Sequence, residues 1–140
     1  MDALIAGFRK VLDCLLRRHA LQGSGVQAER LAEAYLVARG ARILARNVRC
    51  KGGEIDLIAE HAGHIAFVEV RLRRHRDFGG AAASITPTKQ RRIVLAAKYW
   101  LQGAGSVYRQ RPCRFDAVLL NELDAHAPEW IQAAFSMERT

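Results

Sequence analysis

Cysteine is sparse in this chain: Cys14, Cys50 and Cys113 are odd in number and far apart. That pattern excludes a disulfide framework and a paired C-x-x-C zinc-ligand motif, leaving reduced structural thiols as the expectation. Long hydrophobic runs are missing too. No apolar stretch approaches the roughly 18 residues of a membrane span, and Arg9, Lys10 and Asp13 interrupt the apolar positions near the N-terminus. Neither a transmembrane helix nor an export signal is expected, and a cytoplasmic location follows as the expectation. The sequence also lacks GxGxxG, GKS/T, HExxH and nucleophile-elbow patterns, so nucleotide hydrolysis, zinc hydrolysis and serine chemistry have no support. Internal repeats and low-complexity tracts are absent.

What the chain does carry is positive charge. Lys and Arg number 22 against 14 Asp and Glu, a net charge of +8, which biases the surface toward polyanions such as nucleic acid. Half of its 140 residues are apolar, enough for one buried core. Residues 1–22 read as an amphipathic helical extension, with Leu4, Ile5, Phe8, Val11, Leu12, Leu15 and Leu16 at helical spacing. Packing on the domain is the plain role for that helix; docking to a membrane or a partner is the alternative. Residues 23–140 are expected to form a single domain.

Within that domain, Ser24 and Gln27 have the form of a capping box ahead of an apolar stripe through Ala28, Leu31, Ala32, Tyr35 and Leu36, and Gly40 offers a stop. The period then changes to that of strands, over residues 43–50, 54–60 and 64–72, the last two joined by a hairpin signal at Ala62-Gly63. A loop around Gly79-Gly80 leads to Thr86-Pro87, which can cap and begin a helix whose buried face is Ile93, Ala96, Ala97 and Trp100. Residues 115–120 form an apolar strand, read as central and parallel to a neighbour, and residues 130–135 one more strand or turn. This order predicts an α/β fold, a mixed sheet covered by helices.

The hairpin can be taken further. If Ala62 and Gly63 are its two loop residues, His61 faces His64, Asp56 faces Glu69 and Glu54 faces Arg71. Alternation then puts Glu54, Asp56, Glu69 and Arg71 on one face and Ile55, Leu57, Val68 and Val70 on the other. Opposed carboxylates with Cβ atoms about 5 Å apart weaken a sheet. A divalent cation such as Mg²⁺ offsets the repulsion, since it takes hard oxygen ligands from one or two carboxylates, water and substrate phosphate. The plainer alternative is a surface network in which Arg71 bridges Glu54 and Glu69; against it stands the hydrophobic character of these strands. From the preceding helix, Glu29 can lean toward the sheet, with Glu33 as its competitor. Basic residues flank the acids. Arg71, Arg73, Arg74, His75 and Arg76 follow them in sequence, and Lys89, Arg91 and Arg92 occupy the first turns of the next helix, with Lys89 on the inward line of Ile93 and Trp100. Arg73, Arg74, Arg76, Lys89 and Arg92 are therefore candidate contacts to DNA phosphates, made by charge with little sequence readout.

Taken in order, AERLAEAYL at 28, ILARNVR at 43, GGEIDLI at 52, FVEVRLR at 67, DFGG at 77, TKQRRI at 88 and RFDAVLL at 114 resemble the small bacterial YraN-like proteins, predicted endonucleases distantly related to archaeal Holliday junction resolvases. The resemblance implies a restriction-endonuclease-like PD-(D/E)XK core with a mixed four-stranded sheet flanked by helices. It implies that Glu29, Asp56 and Glu69 bind or organise Mg²⁺ (or Mn²⁺), with Glu54 as a neighbouring acid of less defined role. It also implies branched or structured DNA as the partner and a homodimer as the assembly. Arg71 departs from that superfamily's E-x-K motif. Arginine can hold a phosphate bidentately but not act as a general base, and Lys51 or Lys89 are candidate substitutes. The functional expectation is a Mg²⁺-dependent endodeoxyribonuclease in which Arg71 holds the scissile phosphate. The competing readings are a non-cutting nucleic-acid-binding module on the same fold, and an adaptor that docks through its N-terminal helix.

Overall fold

The switch from a helical to an alternating period near residue 42 marks a real boundary in the computed structural model, which describes residues 24–73, 85–121 and 128–137. The amphipathic helix predicted over residues 1–22, Cys14, Arg74, His75, Arg76 and the loop around Gly79-Gly80 lie outside the described residues, and of Arg73 only the backbone is described. Helix α1 (Ser24–Ala38) buries Ala28, Ala32, Tyr35 and Leu36, as its apolar stripe requires. Ser24 already lies within the helix instead of preceding it as a cap. At the other end, the Ala41 amide donates to the Leu36 carbonyl and the Gly40 amide to that of Val37, the paired bonds of a Schellman stop. That stop needs a left-handed residue, which Gly40 supplies at φ 93°.

Strands β1 (Arg42–Cys50), β2 (Gly53–His61) and β3 (His64–Arg73) follow as an antiparallel meander. The β2–β3 turn has positive φ at both Ala62 (49°) and Gly63 (79°), the conformation of a two-residue hairpin loop. Helix α2 (Pro87–Gln102) then crosses back, and β4 (Cys113–Asn121) pairs in parallel with β3. Thr86 Oγ1 accepts the Lys89 amide at 3.2 Å and Pro87 occupies the first helical position, so the predicted start of α2 is observed. The helix lies mainly over β2 and approaches it closely at Gly53, where a Cβ would stand 2.5 Å from the Arg92 carbonyl oxygen.

The sheet has five strands in the order β1-β2-β3-β4-β5, where four were expected. The additional strand is β5 (Glu129–Phe135), antiparallel to β4. Its attachment has an evident cause in Asp116, which is fully buried in β4. The Asp116 carboxylate accepts from Arg114 Nε at 2.8 Å, from Trp130 Nε1 at 3.0 Å and from the Ala133 amide at 3.0 Å, two of these donors being on β5. Those bonds span the register shift between Phe115 and Ala117, so a side chain holds the strand where the ladder slips.

Two cores cover the two faces of the sheet. Ile58, Ile65, Phe67, Ile93, Trp100 and Phe115 pack on the α2 side, and Ala32, Leu36, Leu57, Ala66, Val68 and Val118 on the α1 side. No helix among the described residues is long and apolar enough to cross a membrane. Replacing Asp116 by Ala should lower the unfolding free energy by about 3–5 kcal/mol, because it strips a buried guanidinium of its partner. Urea denaturation measures this directly, and a loss indistinguishable from that of a surface substitution would remove Asp116 as the anchor of β5.

Candidate functional site

The site lies where β2 and β3 part. Their ladder runs from His61 opposite His64 to Leu57 opposite Val68, in the register predicted from the loop. A continued ladder would aim the Val70 amide at a carbonyl of β2, but that amide donates instead to Asp56 Oδ2 at 2.8 Å. A side-chain carboxylate thus stands in for the backbone. The predicted alternation breaks at the same point: Ile55 packs in the α2-side core and Leu57 in the α1-side core, so they do not share a face. On β1, Asn47 adopts a positive φ of 49° close to this step. Strict period-two alternation fails here because the backbone on both strands is irregular.

Glu69, from β3, is 3% exposed and lies within hydrogen-bonding reach of Asp56. Lys89 reaches the pair from the first turn of α2, with its Nζ 2.6 Å from Glu69 Oε1. The structure therefore brings Asp56, Glu69 and Lys89 together. Burial is the main cause that pushes the Glu69 carboxyl up to about 7; the Asp56 charge adds to it and Lys89 opposes it. Asp56 is likewise raised by burial, against the lowering effect of the Val70 amide. Two acids this close, one of them buried, share a proton readily.

Glu29, half-buried on α1, is the third acid. Its carboxyl is raised first by burial and then by Asp56, and lowered by a hydrogen bond with Asn47. Glu33 faces elsewhere: both of its oxygens are taken by Arg46, one by Nε at 2.8 Å and the other by Nη2. Glu29 is therefore the helix acid that senses Asp56. Glu54 lines a cavity at the start of α2 with Thr86, Thr88, Lys89, Arg92 and Ile93, which places the candidate phosphate contacts Lys89 and Arg92 beside the acids.

The surface network built on Arg71 is not what forms. Glu69 pairs with Lys89, and Glu54 lies 4.0 Å from Arg49 Nε. Arg71 is partly exposed on β3 opposite Leu119, and no hydrogen bond or ion pair joins it to another described residue. The separation of β2 from β3 beyond Val68 removes the cross-strand contact on which that bridge depended. Lys51 does not line the cavity that Lys89 and Glu54 share. It lines a separate groove with Cys50, Leu95, Lys98, Tyr99 and Gln102. Sequence reasoning missed Asn47, for which only its place beside the motif acids gives a signal.

Among the described residues no three acidic, imidazole or thiol groups converge as a ready-made metal cage. The donor set is two carboxylates in contact, with Glu29 behind them. That suits a hard cation which keeps several waters and takes further oxygens from a substrate phosphate, and suits zinc poorly.

A mixed α/β domain, its sheet covered by helices, with a polar cluster of Asp56, Glu69 and Lys89 where the β2–β3 ladder ends, is the class that the fold and site define. Residues 28–120 match the family described as "Uncharacterised protein family UPF0102", and the chain belongs to that family, the YraN-like group of small bacterial proteins. The UPF0102 protein of Methylobacillus flagellatus is 53% identical over 112 residues, covering 80% of this chain and 96% of that protein. That of Cupriavidus taiwanensis is 51% identical over 118 residues, covering 84% and 86%. That of Hahella chejuensis is 50% identical over 112 residues, covering 80% and 89%.

A raised acid makes the folded state the better proton binder. The Glu69 contribution to stability is thus complete below about 4.5, its ordinary value, and lost as pH rises to about 7. Glu69→Gln keeps the shape and removes the titration. In chelator-treated protein the variant should match the wild type near the acid end of that window and exceed it in stability above the alkaline end. Thermal unfolding across the window checks this, and parallel curves for the two proteins would refute the shift.

Proposed function

We propose that this protein is a Mg²⁺- or Mn²⁺-dependent endonuclease with a restriction-endonuclease-like core, acting on branched or otherwise structured DNA. The observation that carries the reading is the buried Glu69 carboxyl held against Asp56, with the Lys89 ammonium beside it, where the hairpin opens. Holding a buried carboxyl against a second acid has no stabilising rationale of its own, which favours a functional one.

Asp56 and Glu69 would hold the ion, and Glu29 would complete or orient the set. When bound, a divalent ion polarises a phosphoryl oxygen and eases ionisation of a water molecule. The chain's own residues do the rest. Arg71, partly exposed on the strand next to Glu69, would hold the scissile phosphate through two parallel N–H bonds. Arg92, together with Arg73, Arg74 and Arg76, would contact flanking phosphates by charge, which gives affinity without base readout. The net charge of +8 suits a polyanionic partner such as DNA. Arg71 cannot serve as a general base, since arginine stays protonated, and Lys89 is the lysine that stands beside the acids.

One observation favours a second reading. Arginine in place of the motif lysine suits a module that binds nucleic acid on this fold without cutting it. The two readings separate in one experiment, with junction, flap, nicked and linear DNA incubated with Mg²⁺ or Mn²⁺. Cleavage of a structured substrate is expected, falling by about 100-fold or more in Asp56→Ala and in Glu69→Ala. Salt-sensitive binding that survives chelation and both substitutions, with no cleavage, would establish the second reading instead.

A further inference from the structure

Lys89 makes an ion pair that cleavage by the acids alone does not explain. Its Nζ contacts Glu69 Oε1 at 2.6 Å, and that oxygen belongs to a carboxylate assigned above to the divalent ion. An ammonium and a hard dication seek the same negatively charged lone pairs. In the absence of the dication, Lys89 balances part of the charge on the acid pair. Once a dication is present the two carboxylates are already neutralised, and a further positive charge against Glu69 is repelled.

The surroundings give the ammonium a place to go. The Glu69 side chain is 4% exposed and that of Lys89 34%, so the lysine reaches down to the acid from the rim. Its backbone amide is bonded to Thr86, and a lysine stem of four carbons has the rotatable bonds needed to carry the ammonium from one partner to another. At the rim, Lys89 lines the cavity shared with Thr86, Thr88 and Arg92, beside which a DNA phosphate would pass. The aliphatic stem can therefore serve either the acid or the phosphate.

We propose that Lys89 is an exchangeable counter-ion: its ammonium occupies Glu69 until a divalent cation displaces it, and a phosphodiester at the neighbouring cavity then receives it. This rests on the assignment of Asp56 and Glu69 as metal ligands. Metal arriving alone must break an existing ion pair and leave an ammonium without a partner. Metal arriving with DNA need not leave it so. Metal and nucleic acid therefore bind with positive cooperativity, and each raises the affinity for the other by the same factor.

The test is Mn²⁺ binding to the full chain by titration calorimetry at about pH 8.5, above the range in which the acids hold a shared proton. Lys89→Met should bind Mn²⁺ about 10-fold more tightly than the wild type, or better. Lys89→Gln should shift in the same direction, which guards against an effect of methionine itself. Lys98→Met, which removes the same charge from the far end of the helix, should bind like the wild type. A short DNA duplex should strengthen Mn²⁺ binding by the wild type, and this gain should be missing from Lys89→Met. Unchanged or weaker binding by both Lys89 variants, with measurable binding by the wild type, overturns the counter-ion role alone. No Mn²⁺ binding by any of the proteins overturns it together with the ligand assignment.

Discussion

A buried Glu69 meets a partly exposed Asp56, and much of the local structure is arranged around the electrostatic cost of that meeting. Ionised together, they would repel strongly in such a position. The Val70 amide stabilises the Asp56 carboxylate, and Lys89 stabilises that of Glu69. Each of these partners comes with a structural concession. The amide is available because the β2–β3 ladder stops at Leu57 and Val68, and the ammonium is available because Gly53 lets α2 settle close against β2. The same constraint links the fold to its proposed activity, since a site that tolerates two acids with only partial compensation has an unmet demand for positive charge.

Much of this was legible in the sequence because it depends on short-range rules. The hairpin register from His61–His64 to Leu57–Val68 followed from a two-residue loop, but Asp56 and Glu69 lie just beyond that ladder, where the Asp56 side chain takes the Val70 amide. Gly40 announced the end of α1, and Thr86-Pro87 the start of α2. Lys89 could be placed on the inward line of its helix, although which acid it meets could not, because that depends on where α2 docks. That Glu33 is engaged elsewhere depends on Arg46, a residue of β1 that the helix pattern does not reveal.

The remaining features are set by tertiary contacts that leave no periodic signal. Ile55 and Leu57 are two residues apart, yet they enter different cores because the backbone turns over between them, near a left-handed Asn47. Asp116 reads as one more acid after an arginine, but its burial under Trp130 and Ala133 makes it the fastening of a fifth strand. A pattern of hydrophobic and polar letters does not distinguish a charge that is solvated from one satisfied by partners distant in the chain.

The parallel pairing of β3 with β4 has a consequence for the order of assembly. The β2–β3 hairpin closes over two residues and can form early, whereas β4 joins β3 only after the intervening chain, α2 included, has been looped back. Lys89 can therefore reach Glu69 only once α2 has docked over the hairpin. Docking of α2 is favoured by that ion pair as well as by the apolar surface it covers, so the polar site acts as a late electrostatic lock on the chain's topology.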